Sequence, residues 1–70
     1  MTQDQARLVF IMAREGFSAY KRKCDAGEYH GVYLADRLAA LSALSAEFGA
    51  RFPEGKQDGY FHIPANLRRV

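Results

Sequence analysis

Cysteine is almost absent from this sequence, which excludes a common way of stabilising a small protein. Its 70 residues include one cysteine, Cys24, so no disulfide can form within the chain. A lone thiol is typical of proteins in a reducing compartment, and so short a chain buries a small fraction of its surface. We therefore expect stability to come from well-packed helices or from association with a second copy.

Long apolar runs and a strong charge of one sign are also missing. The longest apolar run, Leu8 to Ala13, is far shorter than a membrane span, and basic residues follow it, whereas in a signal peptide they come first. The formal net charge is +2, from 10 basic and 8 acidic residues, and by itself predicts neither a nucleic-acid nor a membrane partner. The sequence predicts a soluble cytoplasmic protein.

Clusters of metal ligands or catalytic groups are not found either. Cys24, His30 and His62 are the only cysteine and histidine residues, and a zinc site needs about four ligands at short recurring spacings. The serines of the predicted helices have no acid–base partner at helical spacing, and two helices leave little room for a cleft. We therefore expect no metal, no cofactor and no enzymatic activity.

The first predicted helix extends from about Gln3 to Ala26. Thr2 and Gln5 have the spacing of a capping box, in which each side chain pairs with the backbone N–H of the other. Gly27 lies where a glycine can close a helix in the left-handed conformation. Apolar residues recur at steps of four and three, the spacing of a buried seam: Ala6, Phe10, Ala13, Phe17, Tyr20 and Cys24.

The second predicted helix extends from about Gly31 to Phe52. Its seam consists of Leu34, Leu38, Leu41, Phe48 and Phe52. Pro53 must end it, because the residue before a proline is pushed out of the helical conformation. The connection from Glu28 to Gly31 is short, and short connections place successive helices antiparallel.

Residues 53–70 are predicted to form an extended C-terminal arm. Its first part, Pro53 to Gly59, has the composition of a turn-rich polar loop. The segment Tyr60 to Ile63 favours extended structure and either lies across the helices or pairs with something outside the monomer. The fold class is therefore all-α: one domain, residues 1–70, built as an antiparallel two-helix hairpin that dimerises into a four-helix bundle.

Two groups of small or apolar residues predict the contact with a second copy. Helix 1 is apolar nearly all the way round between Leu8 and Ala13. Helix 2 carries alanines at steps of four and three, and few charged residues lie near them. The predicted dimer interface comprises Leu8, Ile11, Met12, Ala39, Ala43 and Ala46. Two alternatives remain open: the arm covers the apolar face of helix 1, and the alanines reflect only high helix propensity.

Aromatic residues near the helix ends predict a binding surface for another protein. Aromatic residues and arginine dominate the binding energy of protein interfaces. The predicted partner-binding residues are Tyr29, His30, Tyr33, Arg37 and Tyr60. The alternative is that the aromatic rings seal the open ends of the bundle.

A stripe of basic residues on helix 1 gives a candidate nucleic-acid face. Arg7, Arg14 and Lys21 are seven residues apart and share one face, with Arg22 beside its end. Such a stripe attracts phosphates or an acidic protein surface. The alternative is the solvated outer face of a bundle, because acidic residues dilute the charge and no aromatic residues alternate with the bases.

The leading functional hypothesis is a small adaptor or inhibitor that binds and modulates a larger host or cellular protein. Its size and lack of motifs are those of proteins that phages or mobile elements use against host machinery. The second hypothesis is a dimeric nucleic-acid-binding regulator that uses the basic face of helix 1.

Overall fold

Two long helices that pack against each other form the body of the protein. The computed structural model describes all residues from 1 to 70. Helix α1 is Gln3–Asp25, and a 3₁₀ turn, Gly31–Tyr33, leads into α2, Leu34–Arg51. A short helix, α3, follows at Pro53–Gln57, and a second 3₁₀ turn at Ala65–Leu67. No strand is present, so the all-α class and the packing of two long helices are confirmed.

Local sequence signals define both ends of α1. The Gln5 backbone N–H donates to the Thr2 hydroxyl at 3.1 Å, and the Thr2 N–H donates to the Gln5 side-chain oxygen at 2.8 Å. This is the predicted capping box, which satisfies two N–H groups that the first turn leaves free. After the C-cap, Ala26, Gly27 adopts φ of +80°, a left-handed conformation that suits glycine.

The start of α2 differs from the prediction, and its end agrees with it. The predicted helix began at Gly31, but Gly31–Tyr33 form the tighter 3₁₀ turn and α2 begins at Leu34. At the other end Phe52 has φ of −131° and ψ of 73°, outside the helical region. Pro53 explains this conformation because its ring crowds the backbone of the preceding residue.

The core lies between α1, α2 and the C-terminal arm. Phe10 and Ile63 are completely buried, and three of the eight core residues come from the arm. Burying a large apolar side chain stabilises a fold by about 1.5–3 kcal/mol, so the arm is an important part of the stability. The core residues are Ala6, Phe10, Phe17, Leu41, Phe48, Phe61, Ile63 and Leu67.

The prediction of an extended arm with a loop at its start is wrong for Pro53–Gln57, which is helical. Pro53 occupies the first turn, where its missing N–H is not needed and its fixed φ suits a helix. Gly55 is buried, and a Cβ there would lie 3.1 Å from the Tyr60 ring and 3.2 Å from the Phe61 ring. The close packing of these rings over α3 is a contact that the polar composition of the segment did not indicate.

The rest of the arm packs on its own chain, across the two long helices, and forms no strand. Side chains donate hydrogen bonds to three successive backbone carbonyls of the arm, those of residues 61, 62 and 63. Arg14 of α1 donates to the carbonyl of residue 62 at 3.0 Å, and Ser45 of α2 donates to that of residue 61. Arg68, within the arm, donates to the carbonyl of residue 63 at 3.3 Å. Backbone groups that leave water need such partners, and two of these bonds, to residues 61 and 63, are partly buried.

Candidate functional site

A shallow groove of about 630 Å³ opens at the turn that joins α1 to α2. We call it the hairpin-end groove, and its lining residues are Tyr20, Tyr29, His30, Val32, Tyr33 and Arg37. Four of the five residues predicted to bind a partner therefore line one surface. The turn and the first residues of α2 place them there, opposite the last turns of α1.

Large side chains in this groove are exposed to solvent. Tyr29 is 49% exposed, Val32 is 72% exposed and Tyr33 is 62% exposed. Single exposed apolar residues are ordinary, but several side by side are typical of a binding surface. The groove therefore has the composition expected of a protein interface.

Tyr20 of α1 connects the groove residues of the turn to the helix. Its ring lies 5.6 Å from that of Tyr29, with the two planes inclined by 31°. Its hydroxyl donates a hydrogen bond of 3.2 Å to the His30 carbonyl, which ties the turn to α1. Partial burial raises the pKa of the Tyr20 phenol above its ordinary value, and the nearby Cys24 thiol adds to this shift. A tyrosine phenol is protonated at neutral pH even without this shift, so the Tyr20 hydroxyl remains a donor.

Arg37 presents a free guanidinium group in the same groove. Its guanidinium carbon lies 4.0 Å from the centre of the Tyr20 ring, a close cation–π contact. The only ion pair in the chain joins Lys21 to Asp25, so no carboxylate lies within 4.0 Å of Arg37. The arginine side chains that donate hydrogen bonds are Arg14 and Arg68, so the donors of Arg37 have no acceptor within the chain.

Tyr60, the fifth predicted partner-binding residue, lies outside this groove. It is half-buried in the arm, its ring packs on Phe61 at 6.4 Å, and the Arg7 guanidinium lies 4.3 Å from its centre. Conversely, sequence reasoning missed Tyr20 as a groove residue because it belongs to the apolar seam of α1. The available signal was its position near the end of α1, where the short turn leaves a seam residue uncovered.

The residues predicted to contact a second copy lie on two different outer faces. Leu8 and Met12 are 61% and 71% exposed on α1. Leu8 is two residues from the buried Phe10, about 200° round the helix, so it points away from α2. Ala43 is likewise two residues from the buried Leu41 and points away from α1. Of the other predicted residues, Ile11 is half-buried and two are exposed: Ala39 and Ala46.

Most of the basic residues on α1 make contacts within the chain. Arg7 lies over the ring of Tyr60, and Arg14 donates to an arm carbonyl at 3.0 Å. Lys21 pairs at 3.1 Å with the carboxylate one turn further along α1. Arg22 is exposed and makes no side-chain hydrogen bond or ion pair. The stripe therefore attaches the arm and stabilises α1, in addition to any attraction that it has for a charged partner.

No known protein family, curated protein or solved structure matches this chain. None of its helices combines the length and the apolar character that crossing a bilayer requires. Function is therefore inferred from the geometry of the hairpin-end groove.

Proposed function

We propose that this chain is a small non-enzymatic module that binds a larger protein through its hairpin-end groove and modulates it, most simply by inhibition. The observation that carries the proposal is the exposure of Tyr29, Val32 and Tyr33, at 49%, 72% and 62%, beside the unpaired Arg37. Tyrosine and arginine are among the residues that contribute most to binding in protein interfaces.

Two contacts within the chain attach the groove to α1. The hydrogen bond from Tyr20 to the His30 carbonyl and the stacking of Tyr20 on Tyr29 hold the turn against α1. A surface that is already in its binding conformation loses less conformational entropy when it binds. This supports recognition by a preformed surface.

The nucleic-acid alternative has less support. A surface that binds the phosphate backbone of a nucleic acid needs several free cations in a row. Arg7 and Arg14 contact the arm and Lys21 is paired with a carboxylate, which leaves Arg22 as the free member of the predicted face. The hairpin-end groove offers a more complete binding surface.

The proposal is tested by capture of partners from a lysate of the source cells, with the wild type and a Tyr29→Ala/Tyr33→Ala variant as baits. We expect the variant to lose its specific partner by at least about tenfold, because an interface residue of this type contributes about 2 kcal/mol or more. The matched control is Tyr29→Phe/Tyr33→Phe, which retains both rings and should retain most of the capture.

Equal recovery of the same proteins by the wild type and the alanine variant would overturn the proposal. Circular dichroism of each bait shows that a lost partner does not reflect a lost fold. A partner retained by the phenylalanine variant and lost by the alanine variant would assign the binding to the rings.

We also propose that two copies associate through the outer face of α1. This face is one of the two that were predicted to form the dimer interface of a four-helix bundle. Leu8 and Met12 are large and more than half exposed, whereas Ala39 and Ala43 of α2 offer only methyl groups. Burial of Leu8 and Met12 removes more apolar area from water and so gives the stronger association.

Sedimentation velocity of matched variants tests this association. We expect the wild type to have twice the mass of the 7.9 kDa chain, and Met12→Glu to be monomeric because it places an unpaired charge in the contact. Ala43→Glu, on the opposite face, should retain the dimer. A monomeric wild type, or a dimer lost only by Ala43→Glu, contradicts the assignment.

A further inference from the structure

We infer that the hairpin-end groove recognises a peptide segment carrying an aspartate or glutamate next to a large apolar side chain. The inference rests on the proposed function and names the chemistry of the partner at the same site. It follows from the state of Arg37, the charges around it and the apolar wall beside it.

The guanidinium of Arg37 is available to a carboxylate. It is held 4.0 Å from the centre of the Tyr20 ring, so stacking restricts its orientation while its N–H groups find no acceptor in the chain. A planar guanidinium that stacks through one face still has its edge available for two parallel hydrogen bonds. Carboxylates accept such paired bonds, which are stronger than neutral ones.

No ion pair joins the cations around the groove to a carboxylate of the chain. Lys23 lies 5.3 Å from the centre of the Tyr29 ring, so a second cation is placed beside the same aromatic cluster. Asp36 precedes Arg37 and Glu28 lies in the turn, yet neither is within 4.0 Å of a cationic side chain. An incoming carboxylate therefore complements cations that the chain leaves unpaired.

The walls of the groove select for an apolar neighbour. Val32 and Tyr33 are both more than 60% exposed and line the groove with Arg37. A purely phosphate-directed site would present several donors together, whereas here one guanidinium adjoins aliphatic and aromatic surface. A peptide with an acidic residue beside a leucine or phenylalanine satisfies both parts, and each part excludes water from the other.

The second half of α2 contains a matched control for Arg37. Arg51 is also exposed, its guanidinium carbon lies 5.5 Å from the centre of the Phe52 ring, and it has no ion pair. It lies fourteen positions further along the same helix, about 21 Å away at 1.5 Å per residue, and does not line the groove. Arg51→Gln thus removes the same charge and the same kind of stacking from a different place.

The experiment selects random twelve-residue peptides displayed on phage against the immobilised wild-type protein. The selected sequences are synthesised with a fluorescent label, and binding to the wild type, Arg37→Gln, Arg51→Gln and Tyr29→Ala/Tyr33→Ala is measured by anisotropy. Each peptide is also made with its acidic residue changed to the corresponding amide, and with phosphoserine in that position.

We expect the selected peptides to share an acidic residue within two positions of a leucine, phenylalanine or tyrosine. The change to the amide should weaken binding to the wild type by roughly tenfold to a hundredfold, the value of a hydrogen-bonded charge pair. The same change should have almost no effect on binding to Arg37→Gln, and should retain its full effect with Arg51→Gln, because only Arg37 is coupled to the carboxylate.

Different results overturn different statements. Some peptides could bind the wild type but not Tyr29→Ala/Tyr33→Ala, and bind equally well after the change to the amide. That result refutes the carboxylate assignment but does not contradict the proposed function. Phosphoserine peptides that bind where the carboxylate fails, or displacement by a single-stranded oligonucleotide, replace it with a different ligand. Selected peptides indifferent to both tyrosines, or no selected peptides at all, overturn the inference and the use of this groove for peptide binding together.

Discussion

The two ends of the hairpin are both rich in aromatic rings, but they use them differently. At the end nearest α3, Phe61 of the arm packs on Phe10 at 5.8 Å and on Phe48 at 5.4 Å, and all three rings are buried. At the turn, Tyr29 and Tyr33 remain about half exposed or more. Rings of similar size thus serve stability at one end and are available for recognition at the other.

The arm accounts for this difference. It runs from α3 along the hairpin as far as the surroundings of Ser18 on α1, where Pro64 and Leu67 lie. At the turn, from residue 26 to residue 33, no part of the arm lines the groove, and Tyr29, Val32 and Tyr33 remain exposed. Ser18 thus lies beside the arm, whereas Tyr20, two residues further along α1, lines the hairpin-end groove.

The largest expected effect comes from removing a ring at the buried end. Phe10→Ala should lower the free energy of unfolding by about 3–5 kcal/mol, because it leaves a cavity under Phe61. In so small a chain this is comparable to the whole stability, so much of the protein should be unfolded. Urea titration followed by circular dichroism measures the change, and a loss no greater than that of Tyr29→Ala would contradict the comparison.

A paired change at two glycines sharpens the same contrast. Gly55→Ala should destabilise the fold by about 1–3 kcal/mol, because the new methyl group meets the Tyr60 and Phe61 rings at 3.1 and 3.2 Å. Gly16→Ala, in the middle of α1 with nothing within 4 Å of the new group, should stabilise it by about 1 kcal/mol. Thermal unfolding of both variants checks the signs, and stabilisation by Gly55→Ala would contradict the close packing described for α3.

The attachment of the arm is tested by two serines one turn apart on α2. Ser45→Ala removes the hydrogen bond to the arm carbonyl of residue 61 and should reduce stability by about 1 kcal/mol. Ser42 makes no side-chain hydrogen bond, so Ser42→Ala should change stability by less than about 0.5 kcal/mol. Equal effects in urea titrations would show that the bond from Ser45 does not hold the arm.

Removing a ring at the turn should affect stability far less than removing one at the buried end. Tyr29→Ala and Tyr33→Ala should each change the free energy of unfolding by only about 0.5 kcal/mol, as surface substitutions do. The same changes should remove partner capture, so stability and binding separate at this end. A loss of several kcal/mol from either substitution would mean that the tyrosines seal the bundle, which is the alternative function predicted for them.

The features that local sequence could predict were those with local causes. The capping box of Thr2 and Gln5, the stop before Pro53 and the seams of the two helices all depend on residues within a turn or two of each other. Helix α3 was missed because the rings that pack on it are positioned by α1 and α2, where Phe61 contacts Phe10 and Phe48. Gly55 packs under Tyr60 and Phe61, and the segment by itself has the composition of a loop.

The candidate site shows the same limit. Tyr29, His30 and Tyr33 adjoin one another in sequence, and Arg37 is one helical turn further on, so their clustering was predictable. Tyr60 was assigned with them because it is aromatic and lies outside the helices, but the direction of the arm decides its position. The stacking of Arg37 on Tyr20 joins two helices, and no single-helix pattern contains that information.

The three carbonyls of residues 61, 62 and 63 that accept side-chain hydrogen bonds also have a consequence for the order of folding. The bond from Arg14 to the carbonyl of residue 62 joins residues 48 positions apart. Ser45 of α2 holds the neighbouring carbonyl of residue 61, so α2 must already lie beside α1 when this segment docks. Contacts between residues so far apart in the sequence carry a large entropic penalty until the intervening chain is ordered. We therefore expect the hairpin to assemble first and the arm to dock last, so that in hydrogen exchange the amides around residue 61 open before those in the middle of α1.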